Sequence, residues 1–132
     1  MPGYMPKHMP GDTITVKAGT GGVVGGQRVC VSGPGIVATA TAATKAKYVG
    51  VAAFDAALNA DVTMYGRGMV HISVASGAIT AGDQVTSADG GKVASIAAAA
   101  GAAAGDINNA RAVDGIALTT AADGAAVEWM AI

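Results

Sequence analysis

The side chains that most often catalyse reactions or bind metals are few in this chain of 132 residues, and they are not grouped. The two histidines, His8 and His71, have no partner at the spacing of a metal site. His71 lies between Val70 and Ile72 in a predicted strand, so its side chain points away from theirs and is expected to be that of an exposed or edge histidine rather than a metal ligand. The single cysteine, Cys30, is expected to be a small buried side chain. We predict no metal site.

The carboxylates could serve in acid–base chemistry only if two of them faced each other across a cleft. Most of them stand in predicted turns, where aspartate hydrogen-bonds the local backbone. Asp55 and Asp61 flank one such turn. The positions equivalent to them in the repeat described below are Thr120 and Ala126, so the repeat does not require acids there. The glycine-rich stretch 19–26 lacks the order of a nucleotide-binding loop. We therefore predict a protein that is not an enzyme, with no catalytic residue and no cofactor.

The composition and charge of the chain exclude several classes of partner. The net charge is −1 and the eight basic residues are scattered, whereas nucleic-acid binding needs clustered Lys and Arg. No apolar run approaches the roughly 20 residues of a membrane span. A single cysteine fits synthesis in a reducing compartment inside the cell. Because aromatic residues make up only 4% of the sequence, the core must be built from Ala, Val and Ile. We expect association with other subunits to bury more apolar surface.

The chain contains an internal repeat. Tyr48–Tyr65 has the pattern of two strands joined by a short polar connection, and Val113–Met130 has a similar pattern 65 residues later. The matched positions are those that set the register of a β-hairpin: a glycine, branched residues on one face and small turn residues. Gly50 falls on Gly115, and Val62 falls on Val127. A duplicated hairpin is therefore predicted.

Blocks upstream of this hairpin repeat at an offset of 56 residues. Gly26–Val29 falls on Gly82–Val85, and Ile14–Val16 falls on Val70–Ile72. The nine residues by which the offsets differ are an insertion in the second copy, within the alanine-rich run 96–109. The order of the matched blocks indicates a tandem duplication of one β unit.

The fold class follows from the spacing of turns. Turn signals recur roughly every 8–12 residues with short β runs between them, which is typical of a sandwich or barrel. We predict a compact all-β domain at 12–132, built from pseudo-repeats 12–66 and 67–132, with at most one or two short helices. Two segments could be helical or not, 39–47 and 97–104.

Two strands of the second copy have a predicted inner and outer face. A strand over 67–74 places its three branched residues, Val70, Ile72 and Val74, on one face. In the last strand, Val127 and Trp129 are predicted to face the core. Glu128, Met130 and Ile132 then face outward, which makes Met130 and Ile132 candidates for an oligomer interface.

Residues 1–11 differ from everything after them. Three prolines at a spacing of four forbid a helix and favour extended backbone. Fully stretched, the segment spans about 35 Å. Two interpretations stay open: a disordered tail, or an extended arm that becomes ordered by adding a strand to a partner's sheet edge. The candidate residues for binding a capsid or other partner are Tyr4, Met5, Lys7, His8 and Met9.

Several short motifs follow one another in a particular order from residue 11 to the end of the chain. They include Gly11–Val16, Gly25–Val29, Val49–Ala52, Ala81–Val85 and Ala121–Val127. In order and spacing these motifs resemble the capsid cement, or head decoration, proteins of tailed bacteriophages.

This resemblance implies a small β protein that binds the outer surface of an expanded phage head. It implies that the partners are the major capsid protein and further copies of the chain, commonly as a trimer at three-fold or local three-fold positions. Such a protein stabilises the shell against the pressure of the packed DNA. It is made in the host cytoplasm and ends on the outside of the virion. The family has no cofactor and no catalytic residues.

Two alternatives remain. One is a carbohydrate- or receptor-binding β module displayed on a virion or cell. Such sites usually expose aromatic platforms, whereas most aromatic residues here fall in predicted strands. The other alternative is a structural subunit of a different assembly, such as a tail or shell component.

Overall fold

The computed structural model describes residues 7, 11, 13–97 and 103–132. This part of the chain forms ten strands, one α-helix and two short 3₁₀ turns, so the predicted all-β fold is confirmed. The strands are β1 (Thr13–Ala18), β2 (Arg28–Gly33), β3 (Ile36–Thr39), β4 (Tyr48–Ala52), β5 (Asp61–Tyr65), β6 (Val70–Val74), β7 (Gln84–Ser87), β8 (Val93–Ser95), β9 (Gly115–Ala117) and β10 (Ala126–Ala131).

The two segments whose structure the sequence left open differ from each other. Within 39–47, β3 ends at Thr39 and a 3₁₀ turn covers Lys45–Lys47. The segment 97–104 lies mostly outside the described residues, but helix α1 begins at its last residue and spans Ala104–Ala110.

Strands β1 to β5 close into a barrel in the order β1-β3-β2-β4-β5, with β5 pairing back onto β1. All its ladders are antiparallel except the one between β1 and β3. Polar and apolar residues alternate along β1, so that Ile14 and Val16 pack against the barrel core. That core consists of small and branched side chains, Ala18, Val23, Val29, Val37, Ala52, Val62 and Met64.

Strands β6 to β10 form a second sheet in the order β6-β10-β9-β7-β8. A parallel bridge from Ala75 to Val93 brings the end of β6 beside β8. The circular order of the strands is therefore the same as in the first barrel. Val127 and Trp129 are fully buried, which confirms the predicted inner face of β10.

Matching hydrogen bonds occur at the offsets of the sequence repeat. Val23 and Ala56 form an isolated antiparallel bridge in the first half, and Ile79 and Ala121 form one in the second. Val23 and Ile79 are 56 residues apart, while Ala56 and Ala121 are 65 apart. The boundaries 12–66 and 67–132 stay a prediction.

Asp55 has a structural role in this repeat. Its Oδ1 accepts a hydrogen bond of 2.8 Å from the backbone N–H of Gly25. In the second half, Thr120 Oγ1 accepts a bond of 3.0 Å from the N–H of Ala81. Since a hydroxyl does the same work at the equivalent position, Asp55 holds a turn.

The alignment of Ile14–Val16 with Val70–Ile72 is wrong by one residue. Ile14 pairs with Met64 across the first barrel, and His71 pairs with Trp129 in the second sheet. Met64 and Trp129 are equivalent at the offset of 65, so Ile14 corresponds to His71.

The one-residue shift arises in the turn that follows β1 in the first half and β6 in the second. Ala18 and Gly21 are separated by two residues, whereas Ala75 and Gly77 are separated by one. Both glycines have positive φ and occupy equivalent turns. The second half is therefore one residue shorter at this point, which the sequence comparison did not register.

Candidate interaction surface

A buried cation joins the two halves. Arg28, the first residue of β2, is completely buried. Its Nη2 donates to Asp114 Oδ2 at 2.8 Å, and its Nη1 donates to the carbonyl oxygen of Thr86 at 2.9 Å. Asp114 Oδ2 also accepts a bond of 3.0 Å from Ser87 Oγ. Arg28 belongs to the first half and its two hydrogen-bond partners, Thr86 and Asp114, belong to the second, so these bonds tie the barrel to the second sheet.

Two aromatic rings flank the guanidinium. The Arg28 Cζ atom lies 4.1 Å from the ring centre of Trp129 and 4.8 Å from that of Tyr48. The rings themselves meet edge to face, 6.2 Å apart. Cation–π attraction is strongest where water is excluded, as it is here. The stacking stabilises a charge that burial would otherwise penalise heavily.

The pKa values in this cluster are dominated by burial. Burial lowers the pKa of Arg28 below its ordinary value, although Asp114 opposes the shift. Burial raises the pKa of Asp114 to about 6 against the pull of Arg28. It also raises the pKa of Tyr48 to about 12. The cluster is a structural joint that lies away from solvent.

His71 is not an exposed histidine, but it does lie on an edge strand, β6, which stands first in the order of its sheet. Its ring is partly buried, 5.2 Å from the ring of Trp129 and 6.1 Å from that of Tyr65. Burial, with a smaller effect of Arg28, lowers its pKa. The next inward residue, Ser73, is buried and accepts the indole N–H of Trp129 at 3.0 Å. The inner face of β6 is therefore polar because it complements Trp129.

The apolar residues of β6 consequently lie outside. Val70, Ile72 and Val74 are 54%, 65% and 45% exposed. Met130 pairs with Val70, and Glu128 pairs with Ile72, on the neighbouring strand β10. Leu118, just past the end of β9, and Ile132, just past the end of β10, are exposed as well. We call these exposed large apolar side chains the outer apolar face: Val70, Ile72, Val74, Leu118, Met130 and Ile132.

The predicted site residues fall into two groups. Met130 and Ile132 are 41% and 47% exposed, and both belong to the outer apolar face. Arg67 Nη1 donates to the carbonyl oxygen of Ile132 at 2.8 Å and so holds the end of the chain in place. Lys7 is exposed. The remaining candidates lie outside the described residues: Tyr4, Met5, His8 and Met9.

An open groove of about 300 Å³ adjoins the outer apolar face. Ile72 and Val74 line one side of it. Val24, an exposed residue of the first half, lines another side. The groove therefore extends the apolar surface from the second sheet to the barrel. Its other lining residues are Gly25, Gly26, Gln27, Ser73, Gly90, Gly91, Lys92 and Ala126.

Other kinds of site are not found in the part of the chain that the structure describes. It contains no group of three His, Cys, Asp or Glu side chains placed to hold a metal ion. None of its helices is long and apolar enough to cross a membrane. Cys30 is buried, as its neighbours in the sequence predict.

Comparison with known proteins identifies the fold. No family model matches the chain, and no curated protein does. Among solved structures, the chain is similar to the crystal structure of the head fiber gp8.5 N base in bacteriophage phi29. The match covers 92% of this chain and 93% of that one, with a TM-score of 0.63 and 20% sequence identity. The two proteins share a fold.

Proposed function

We propose that this protein is a non-enzymatic structural component of a phage head, which binds the outer surface of the expanded head as a cement or decoration protein. The observation that carries the proposal is the fold similarity, over nearly the whole of both chains, to a protein named as the base of a phage head fiber. The resemblance of the sequence motifs to capsid cement proteins supports the same conclusion. The partner is the major capsid protein, and the location is the outside of the virion after synthesis in the host cytoplasm.

The outer apolar face supports an oligomer, which we propose to be a trimer at three-fold or quasi-three-fold positions. A single copy leaves six large apolar side chains exposed on β6, on β10 and just past the ends of β9 and β10. Exposed apolar patches mark interaction sites in soluble proteins. Met130 and Ile132 are the interface residues predicted from the sequence. Three linked copies would convert modest affinity at each site into strong overall attachment.

The N-terminal segment is the second element of the proposal. Tyr4, Met5, Lys7, His8 and Met9 contribute to attachment, directly or through the oligomer. A purified chain that lacks residues 1–11 is expected to keep its fold and to attach more weakly to expanded heads. Equal attachment of the truncated and complete chains would contradict a role for the arm.

The architecture suits a mechanical role. A cement protein must transmit load between capsid subunits without opening. Closing β1 to β5 into a barrel leaves this half with fewer free strand edges than an open sheet has, and the buried Arg28 cluster joins the two halves inside. These features support stabilisation of the shell against internal DNA pressure.

The decisive experiment is binding of the purified protein to isolated heads. We expect attachment to expanded heads at a fixed stoichiometry and none to unexpanded procapsids. The double variant Ile72→Asn/Met130→Asn is expected to lower both the mass of the soluble oligomer and the occupancy of heads. Leu58→Asn, an exposed apolar residue outside the outer apolar face, is the matched control. Saturable binding to neither form of head would overturn the proposed function.

The alternative of a carbohydrate- or receptor-binding module receives less support. Tyr48 and Trp129 are buried and engaged with Arg28. Of the aromatic residues that the structure describes, only Phe54 is exposed. A single exposed ring is a poor platform for a sugar.

A further inference from the structure

Strand β6 has a hydrogen-bonded partner along only one side within the described residues. It pairs with β10 from Val70 to Val74. On its other side the sheet is closed by a single bridge, from Ala75 to Val93, beyond the end of the strand. The edge of β6 from Val70 to Val74 is therefore open.

Backbone bonds at both ends of the strand show which residues face this edge. Met69 accepts the N–H of Ala131, and Ala75 donates to the carbonyl of Ala125, so residues 69 and 75 face β10. Residues on an antiparallel strand direct their N–H and C=O groups alternately to the two sides. The backbone groups of Val70, Ile72 and Val74 consequently point to the open edge.

These same three residues present their side chains on the outer apolar face. A strand added at this edge would therefore gain backbone hydrogen bonds and apolar contacts together. An exposed apolar edge is a hazard that proteins usually block with charge, proline or a covering segment. On β6 the residues facing the edge are all apolar, so a covering segment is expected.

The N-terminal sequence has the pattern of a strand that can pair on one side only. Its prolines stand at positions 2, 6 and 10, all even. In an extended chain, residues two apart share an edge, so the three missing N–H donors all lie on one edge. The opposite edge, formed by Gly3, Met5, Lys7 and Met9, keeps every donor and acceptor.

The side chains of that intact edge match β6. Residues directly opposite each other in a pair of strands have their side chains on the same face. With Lys7 opposite Ile72 in an antiparallel pair, Met5 lies opposite Val74 and Met9 lies opposite Val70. Lys7 then shares a row with Ile72 and with the exposed Glu128 beyond it, which offers the lysine a carboxylate.

We propose that residues 3–9 of a second copy of this chain add a strand to the open edge of β6. The inference rests on the proposed function, because the proposed soluble oligomer is what brings copies side by side. With residues 3–9 paired, residues 10–12 connect them to Thr13 and span about 13 Å, so β1 of the donating copy must begin close to the β6 edge of the accepting copy. The residues facing the open edge, Val70, Ile72 and Val74, also belong to the outer apolar face, the surface proposed to contact another copy. In a ring, each copy gives one segment and accepts one.

Disulfide trapping between differently tagged proteins tests the exchange. In a Cys30→Ala background, a chain with Lys7→Cys is mixed with a chain carrying Ile72→Cys, in solution and without heads. Opposed residues on paired strands have a Cα separation that a disulfide can bridge. We expect a covalent heterodimer that forms several-fold faster than with His8→Cys, whose backbone faces the proline edge. Leu58→Cys is the matched acceptor control, and it should not cross-link.

A pair of proline variants gives a second readout that leaves the folded body untouched. Met5→Pro puts a proline on the intact edge and should abolish the cross-link. Tyr4→Pro puts one on the edge that already has prolines and should preserve it. Equal effects of the two substitutions would overturn the proposed pairing.

The remaining outcomes are also decisive. A cross-link that forms only when both cysteines are in the same chain would show the segment folding onto its own β6 and would overturn exchange between copies. Absence of any specific cross-link would overturn it as well. If the unmodified protein still attaches to expanded heads, only the strand exchange has failed and the cement function stands.

Discussion

Arg28 is the residue on which the association of the two halves depends. Its carboxylate partner lies 86 residues further along the chain, and it is equivalent in the repeat to an uncharged residue, Gln84. Sequence reasoning missed it because a lone arginine in an alternating strand is ordinarily an exposed one. No local sequence pattern predicts a carboxylate partner 86 residues away. Nor does one predict that the rings of Tyr48 and Trp129 flank the guanidinium.

We predict that Arg28→Met destabilises the protein by about 3–5 kcal/mol, because it leaves the carboxylate of Asp114 buried without its counter-ion. Urea unfolding monitored by the fluorescence of Trp129 measures the change. Lys17→Met is the matched control, since it removes the exposed ion pair with Asp61 and should cost about 0–1 kcal/mol. Similar small losses for both variants would contradict a structural role for the buried pair.

Asp114 should give stability a pH dependence of defined sign. Burial raises its pKa from 3.8 to about 6, so the fold binds this proton more tightly than the unfolded chain does. Its contribution is fully present below pH 3.8 and is lost as the pH rises to about 6. The free energy of unfolding of the unmodified protein should therefore fall across this window relative to Asp114→Asn.

Chemical denaturation of both proteins at matched pH values measures the difference in slope. His71, whose pKa is lowered, acts in the opposite sense as the pH drops below its ordinary value. Because it is present in both proteins, the comparison removes its contribution to first order. Parallel pH profiles would show that Asp114 keeps an ordinary pKa in the fold.

At the level of elements, alternation predicts which residues share a face but not which face is inside. The pattern of β6 correctly groups Val70, Ile72 and Val74, and the assumption that apolar residues face the core then fails. The inner side is chosen by Trp129, which needs an acceptor for its indole N–H and finds Ser73. In β10 no buried side chain needs a polar partner on the strand itself, so its apolar residues Val127 and Trp129 face the core as predicted. The part of the exposed apolar surface that β6 contributes was thus found only with the structure, whereas Met130 and Ile132 were predicted from the sequence.

The repeated hairpins make a prediction about two glycines. A Cβ atom at Gly50 would lie 2.2 Å from the carbonyl oxygen of Tyr65, and one at Gly115 would lie 2.2 Å from that of Met130. Gly50→Ala and Gly115→Ala should therefore each lose about 1–3 kcal/mol of stability through overpacking. At Gly66 an added Cβ would meet nothing within 4 Å. Gly66→Ala is accordingly expected to be neutral or slightly stabilising. Thermal unfolding of the three variants measures these changes. Destabilisation by only one of Gly50→Ala and Gly115→Ala would contradict the equivalence of the two hairpins.

For the whole molecule, the two halves resemble each other in strand order but are not interchangeable. Asp114 is equivalent at the offset of 65 to Val49, so two copies of the first half could not form the central ion pair. The order of strands and the offsets could be inferred from glycines and branched residues. The complementary surface between the halves could not be inferred from the sequence, because it depends on side chains such as Arg28 and Asp114 that have no counterpart in the repeat.

We expect the fragments 1–66 and 67–132 each to be unfolded alone and to fold when mixed. Separately, the first would expose Tyr48 and the charge of Arg28, and the second would leave Trp129 uncovered. Amide dispersion in NMR spectra of the single and mixed fragments provides the measurement. A native-like spectrum from the first fragment alone would show that the barrel does not need its partner.

Because Cys30 is buried in β2, the reactivity of its thiol reports how often the barrel opens. As the only thiol in the chain, it can meet a maleimide dye only when the barrel around it opens, so the labelling rate counts opening events. On a decorated particle, the slowing of that reaction relative to the free protein would measure how far docking restrains breathing of the barrel, with no engineered probe.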